Sequence, residues 1–396
     1  IAMYDKTAVE KAVSIHTATY GTAPTTVSYA PGRIEILGNH TDYNEGTVLS
    51  AAISMGNCFC LSPSGKPGVR LTAGNVGGTV EFDPAGSTPL DKQFQWANYV
   101  KGTLYYLRSK GAVVENVDCT FFGSIPLGAG LSSSAALEIA TAYAALDHAG
   151  VTLDKVVIAK AAQKAEHDFA GCNCGLLDQF SSIYGMHHGL IHTDFRSLKA
   201  TRIKLPDDIV CLMINPHIKH ALADSPYNAR RVSCEKAVRE LGDLLDHPVT
   251  ALRDVSWEQL EANKDSIDPE AALRARHVVG EITRVEEAIK HLRDGRLESF
   301  GQLLYDSHES SRTAFENSCD EIDIVVQAAR EAGALGARIS GGGWGGSAVA
   351  LVHACDADAI CSKIVTICQA KGLHPTAETI IPSAGATLVK QITGEY

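Results

Sequence analysis

No stretch of the 396 residues approaches the ~18 consecutive apolar residues needed to cross a bilayer. The start of the chain also lacks the basic opening and apolar run of a secretory leader, so a cytoplasmic protein is expected. The sequence Gly-x-x-x-x-Gly-Lys-Ser/Thr occurs nowhere, which excludes a P-loop as the phosphate cradle. Cys-x-x-Cys is missing, and the eleven cysteines are odd in number, so reduced thiols fit better than a disulfide framework. The sequon Asn39-His40-Thr41 then has no meaning as a glycosylation site. Positive charge is in deficit: 35 Lys and Arg against 46 Asp and Glu leave a net charge of −11. That balance argues against nucleic acid or an anionic membrane as partner. Internal repeats and low-complexity segments are absent too.

What is present can bury large cores, since 45% of the residues are hydrophobic, and the length favours two domains. Strand-like runs at Cys58 to Leu61, Val69 to Thr72 and Thr79 to Phe82 alternate with turn residues. A helix follows over about 95–110, and helical patterns cover 134–149 and 153–170. The run Lys204 to Asp208 reads as a linker before the strand-like Ile209 to Ile214. Helical periodicity and charge dominate 228–332.

Three glycine-bearing stretches carry the chemistry. Residues 31–46 place Arg33, Asn39, His40 and Asp42 in one short strand-and-turn segment with Gly32, Gly38 and Gly46. Such side chains answer sugar hydroxyls, which both donate and accept; a solvated hairpin turn is the other reading. Residues 126–136 hold Gly128, Ala129, Gly130, Leu131, Ser132, Ser133 and Ser134 just before an Ala-rich helix. Backbone amides there can approach a phosphate at the helix N-terminus, or the serines can simply cap the helix. A phosphate loop without lysine must find positive charge elsewhere, most simply in Mg²⁺. In the third stretch, Gly341, Gly342, Gly343, Gly345 and Gly346 surround Trp344. So many glycines cost backbone entropy and are tolerated where backbone meets backbone or a ligand.

In this order and spacing the three motifs resemble the GHMP small-molecule kinases. Further stretches resemble the galactokinase branch: Trp96 to Val100, Ala165-Glu166-His167, Cys174 to Phe180, Ser225 to Arg231, and Ser307-His308. The similarity runs from about residue 27 to about 352. It implies an α+β fold in two lobes, 1–205 and 206–396, with sugar and ATP in the cleft between them. The implied activity is ATP-dependent phosphorylation of a sugar at its anomeric hydroxyl, most simply of galactose. Asp178 then matches the catalytic base and Arg33 the residue that orients it and offsets negative charge. Ser134 and Glu166 match ligands of Mg²⁺, a hard cation suited to a hydroxyl, a carboxylate and phosphate oxygens. His40, Asp42, Gly175 and Tyr227 match sugar contacts. Trp96 and Tyr99 are candidates to flank adenine, with core aromatics as the competing reading. His187, His188 and His192 match no zinc spacing and read as loop and strand-end residues. A monomer is expected, with a small sugar as the binding partner.

Residue 39 departs from the pattern. Galactokinases usually carry glutamate before His-Thr-Asp-Tyr, where it accepts from the C6 hydroxyl; this chain has Asn39. A neutral amide no longer repels a C6 carboxylate, so galacturonate, or relaxed selectivity at C6, is the alternative to galactose. A non-catalytic sugar sensor is a distant second class, because Arg33, Asp178 and the serine loop are all retained.

Overall fold

The computed structural model describes residues 4–85, 90–218 and 226–389. Helix α1 (Lys6–Tyr20) starts on Asp5, whose carboxylate accepts from the Ala8 N–H, and stops at left-handed Gly21. The first sheet contains β1 (Thr26–Leu37), β2 (Thr47–Pro63), β3 (Val69–Ala73), β4 (Thr79–Phe82), β5 (Val117–Gly123), β6 (Gly189–Asp194) and β7 (Lys199–Lys204). Long β2 pairs with β1 on one side, and on the other with β5 near one end and β6 near the other. Helices α2 (Trp96–Arg108), α3 (Ser133–Ala149), α4 (Lys155–Ala165) and α5 (Leu177–Tyr184) cover this sheet. Their core gathers Phe59, Leu71, Val100, Leu104, Ile139 and Phe180. The alanines of α3 favour helix and let its backbone lie close to β1, where the Ser28 hydroxyl donates to the Ala140 carbonyl.

The second sheet begins with β8 (Ile209–Asn215). Helices α6 (Tyr227–Leu244), α7 (Trp257–Asn263), α8 (Pro269–Arg293), α9 (Leu297–Ser310) and α10 (Asp320–Ala332) follow. Strands β9 (Gly336–Ser340) and β10 (Ser347–His353), helix α11 (Ala357–Ala370) and strand β11 (Thr376–Ile380) complete it, in the antiparallel order β11-β8-β10-β9. Helices α6 to α8 form a satellite core around Leu241, Leu252, Val278 and Phe315. A further cluster joins the two sheets: Ile34 and Ile36 of β1 meet Met213, Val349, Phe300 and Leu304. Sheet membership changes between Lys204 and Ile209, at the run read as a linker. The last strand, β12 (Thr387–Leu388), returns to pair with β1.

One helix differs from its sequence pattern. Over 153–170 a single helix is expected, but α4 ends at Ala165 and the chain widens into a π-helical turn at Glu166–Ala170, closed by Gly171. A second π turn spans Ser311–Phe315 after α9. Both border the cleft, and such turns are set by tertiary contacts that side-chain periodicity does not record.

Candidate active site

The cleft is built on β1. Between Arg33 and Glu35 its register against β2 is unbroken, so alternate side chains share a face. Ile34 and Ile36 enter the shared core, while Arg33 and Glu35 face a cavity of about 250 Å³ between the lobes. Arg33 is buried; its Nε donates to Asp178 Oδ1 at 2.8 Å and its Nη1 to the Gly130 carbonyl at 2.7 Å. One guanidinium thus ties the carboxylate on the first turn of α5 to the glycine loop before α3.

The turn after β1 is pinned from below. Glu281 of α8 accepts from the N–H groups of Gly38 and Asn39 and from the Ser307 hydroxyl, and it pairs with Arg284. Burial alone would raise this carboxyl, but Arg284, together with His277 and Arg338, holds it well below the usual carboxylate range. His40 is left-handed. Its Nε2 donates to the Gly342 carbonyl and its Nδ1 accepts from the Tyr43 hydroxyl, both at 2.7 Å. Burial lowers His40 to about 4, so the ring is neutral at ordinary pH. The rings of Phe315 and Tyr227 lie 4.5 and 5.0 Å from it. Asp42, raised to about 6 mainly by burial, accepts from the Leu177 N–H. Gly175 leaves it room: a Cβ there would lie 1.9 Å from Asp42 Oδ2.

Gly128, Gly130 and Ser132 are all left-handed. Alternating conformations of this kind turn successive N–H groups toward one spot, a nest for an anion. Helix α3 starts without a side-chain cap, and the buried Ser132 hydroxyl has no partner among the described residues. The third glycine stretch packs on this loop. The Ser347 hydroxyl donates to the Ala129 carbonyl, and Cβ atoms at Gly130 or Gly346 would come within 3.3 Å of the other's Cα.

Ser134 Oγ donates to Glu166 Oε1 at 3.1 Å. Gln179 bridges Glu166 and Glu138. Burial first, then the charge of Asp178, raises Glu166 to about 7, and burial raises Glu138 well above its ordinary value.

Of the residues singled out in the sequence, Arg33, Asn39, His40, Asp42, Gly130, Ser132, Glu166, Gly175, Asp178 and Tyr227 line one cavity. Ala129 and Leu131 are buried behind it, with their carbonyls holding Ser347 and the Arg33 N–H. Trp96 packs against Phe94 and Phe121, Tyr99 packs on the same core, and neither lines the cavity. His187 and His188 touch in a turn, and His192 on β6 faces Glu286. Among the described residues no group of three or more His, Cys, Asp or Glu could hold a metal ion. Ser225 lies outside the described residues. Asn228 and Arg231, from the same run, bind the loop that leads to Gly175. Sequence reasoning missed Glu35, Glu138 and Glu281. A lone glutamate inside the apolar start of α3 was the one available signal, at Glu138. A larger hollow of about 560 Å³, between α9 and α10, is lined by mutually paired side chains such as His308–Asp323 and Arg312–Glu309.

Comparison with known proteins agrees with the geometry. The galactokinase galactose-binding signature matches residues 14–63, the GHMP kinases N terminal domain 98–186 and the GHMP kinases C terminal domain 286–368. A galactokinase of Pasteurella multocida (strain Pm70) is 39% identical over 338 residues, 84% of this chain and 86% of that protein. The crystal structure of Lactococcus lactis galactokinase complexed with galactose superposes with a TM-score of 0.89 at 31% identity, covering 95% of this chain and 98% of that one. Methanococcus jannaschii mevalonate kinase, 16% identical with a TM-score of 0.61 over 90% of this chain and 98% of that one, shares the fold. The chain is an enzyme of the GHMP kinases and belongs to their galactokinase branch.

Proposed function

We propose that the protein transfers the γ-phosphoryl group of ATP to the anomeric hydroxyl of D-galactose, giving ADP and galactose 1-phosphate. The observation that carries this reading is the 2.8 Å Arg33–Asp178 pair, set between the glycine loop and the turn 38–46. Asp178 takes the proton of the anomeric hydroxyl as its oxygen bonds to phosphorus and the bond from phosphorus to the ADP oxygen breaks. Arg33 orients that carboxylate and offsets charge on the phosphoryl group, and it stays protonated throughout. Residues 128–134 cradle the phosphates through backbone N–H groups and the N-terminus of α3. Asn39, His40, Asp42, Gly175 and Tyr227 shape the sugar side. The cytoplasm suits a chain whose cysteines are all free thiols.

The hydroxyl of Ser134 and the carboxylate of Glu166 fit Mg²⁺, being adjacent oxygen donors beside the phosphate loop. When bound, the ion would neutralise part of the triphosphate charge. Ser134→Ala and Glu166→Ala should each raise the Mg²⁺ concentration for half-maximal ADP release more than the galactose KM. Calorimetric titration with a Mg²⁺-bound, non-hydrolysable ATP analogue should weaken in parallel. A selective loss of galactose affinity at saturating Mg²⁺ and ATP would overturn the placement.

The substrate is tested by coupled ADP release with galactose, galacturonate, N-acetylgalactosamine, glucose and arabinose. Galactose should give the highest kcat/KM. Sugar binding without ADP release from any of them would remove the assignment.

A further inference from the structure

A carboxylate stands beside the position where Asn39 replaces one. Asn39 Nδ2 donates to Glu35 Oε1 at 3.0 Å and to the Gly341 carbonyl at 2.8 Å. Its Oδ1 accepts from Asn317 Nδ2 at 2.9 Å, its N–H reaches Glu281 and its carbonyl accepts from His277 Nε2. The amide cannot turn over, because its oxygen would then face a carboxylate and a carbonyl. Fully buried Asn39 therefore keeps no donor for a ligand, and its oxygen is directed to Asn317.

Glu35 is arranged otherwise. Its Oε1 accepts from Asn39 and from Arg338 Nη1 at 3.2 Å. Among the described residues nothing hydrogen-bonds Oε2, and this atom is not among those sealed from solvent. The side chain lines the cavity, one pleat repeat along β1 from Arg33 on the same face. Burial pushes the Glu35 carboxyl up, while the guanidinium groups of Arg338 and Arg33 favour its ionised form.

We propose that Glu35 is the specificity-determining carboxylate of the sugar pocket. Its Oε2 accepts from a hexose hydroxyl, and its charge excludes sugars that carry a carboxylate there. This rests on the galactose reading above. With the anomeric hydroxyl at Asp178, Glu35 meets the far end of the ring, where galactose presents its C4 and C6 hydroxyls. Galacturonate would set its C6 carboxylate against this like charge. Asn39 is then a positioning residue that fixes Oε1 so that Oε2 faces the sugar.

The test measures kcat and KM for galactose, its 2-, 3-, 4- and 6-deoxy analogues and galacturonate, in wild type, Glu35→Gln and Glu35→Asp. The aspartate variant keeps a charge for Arg338 while withdrawing it from the sugar, so it covers the case in which Glu35→Gln fails to fold. Preference for galactose over the 4- or 6-deoxy sugar should fall at least about tenfold in the variants, through KM more than kcat. Preferences at C2 and C3 should hold. The galacturonate-to-galactose ratio of kcat/KM should rise about tenfold in Glu35→Gln. A uniform loss with all ratios unmoved would mean that Glu35 only supports Arg338, and would overturn the proposal. Wild-type ADP release with galactose reports separately on the activity. No turnover there would remove the substrate assignment, whereas turnover with unmoved ratios would remove only the role of Glu35.

Discussion

Asp178→Asn should lower kcat by about 10²- to 10⁴-fold, the usual cost of losing a general base, while galactose binding changes little. The asparagine keeps the shape of the side chain and an oxygen that can still accept from Arg33 Nε, so the bridge from α5 to the Gly130 carbonyl survives. What is lost is the acceptor for the anomeric proton. ADP release under saturating substrates gives kcat, and calorimetric titration with galactose alone gives the affinity. Retention of more than about a tenth of kcat would show that another group takes the proton. A large loss of affinity would instead give Asp178 mainly a binding role.

The largest stability effect is expected at Glu281, which sits beneath the turn after β1 and does not line the cavity. Its carboxylate gathers two backbone N–H groups of the turn after β1, the Ser307 hydroxyl and the Arg284 guanidinium. Glu281→Gln removes the charge and converts one acceptor into a donor, leaving Arg284 without its partner. Breaking a buried pair in this way costs roughly 3–5 kcal/mol, and partial exposure of Arg284 places the expectation near the lower bound. Urea unfolding of variant and wild type reads the difference. Because the folded carboxyl is held below its unfolded value, the stabilisation is complete above a pH of about 4.3 and fades as the pH falls toward the folded value. The gap between the two proteins should therefore narrow in acid. A gap under about 1 kcal/mol at neutral pH would mean that the turn is held by other contacts.

Motif residues were legible because each motif is short in sequence. Arg33, His40, Asp42, Ser134 and Asp178 belong to short local runs whose likeness to the galactokinase branch carried their expected roles, and the fold brings those runs to one cleft. Glu281 shows why other parts were not legible. It lies more than 240 positions from the N–H groups it accepts from, on a long charged helix where one more glutamate carries no signal. Glu35 stands between the apolar Ile34 and Ile36, and nothing in the sequence singles it out. Its exposure to the cavity follows from strand alternation once Arg33 is fixed. The resemblance puts residue 39 beside C6, whereas the Asn39 side chain is hydrogen-bonded to Glu35, Gly341 and Asn317. Trp96 was ambiguous for a simpler reason: a half-buried aromatic at a helix start has the same sequence signature in a core as beside a base. The two π turns were invisible because widening a helix changes no residue type.

The chain crosses between the two sheets twice, once over 205–208 and again where residues 382–389 run back along the first lobe. This return is stitched by backbone hydrogen bonds from Ser383, Gly385 and Ala386 to Ala52, Gly185 and Ser182, and by the pairing of β12 with β1. A cut at the exposed Asp207–Asp208 bond would therefore leave the halves as two interlocked polypeptides. The C-terminal piece would carry β12, a strand of the first sheet, and the two pieces would share the cluster around Ile34, Ile36 and Met213. Such a nicked protein should elute as one species in native gel filtration and separate only in denaturant. A split at that bond gives a route to reconstituting the enzyme from two separately expressed pieces.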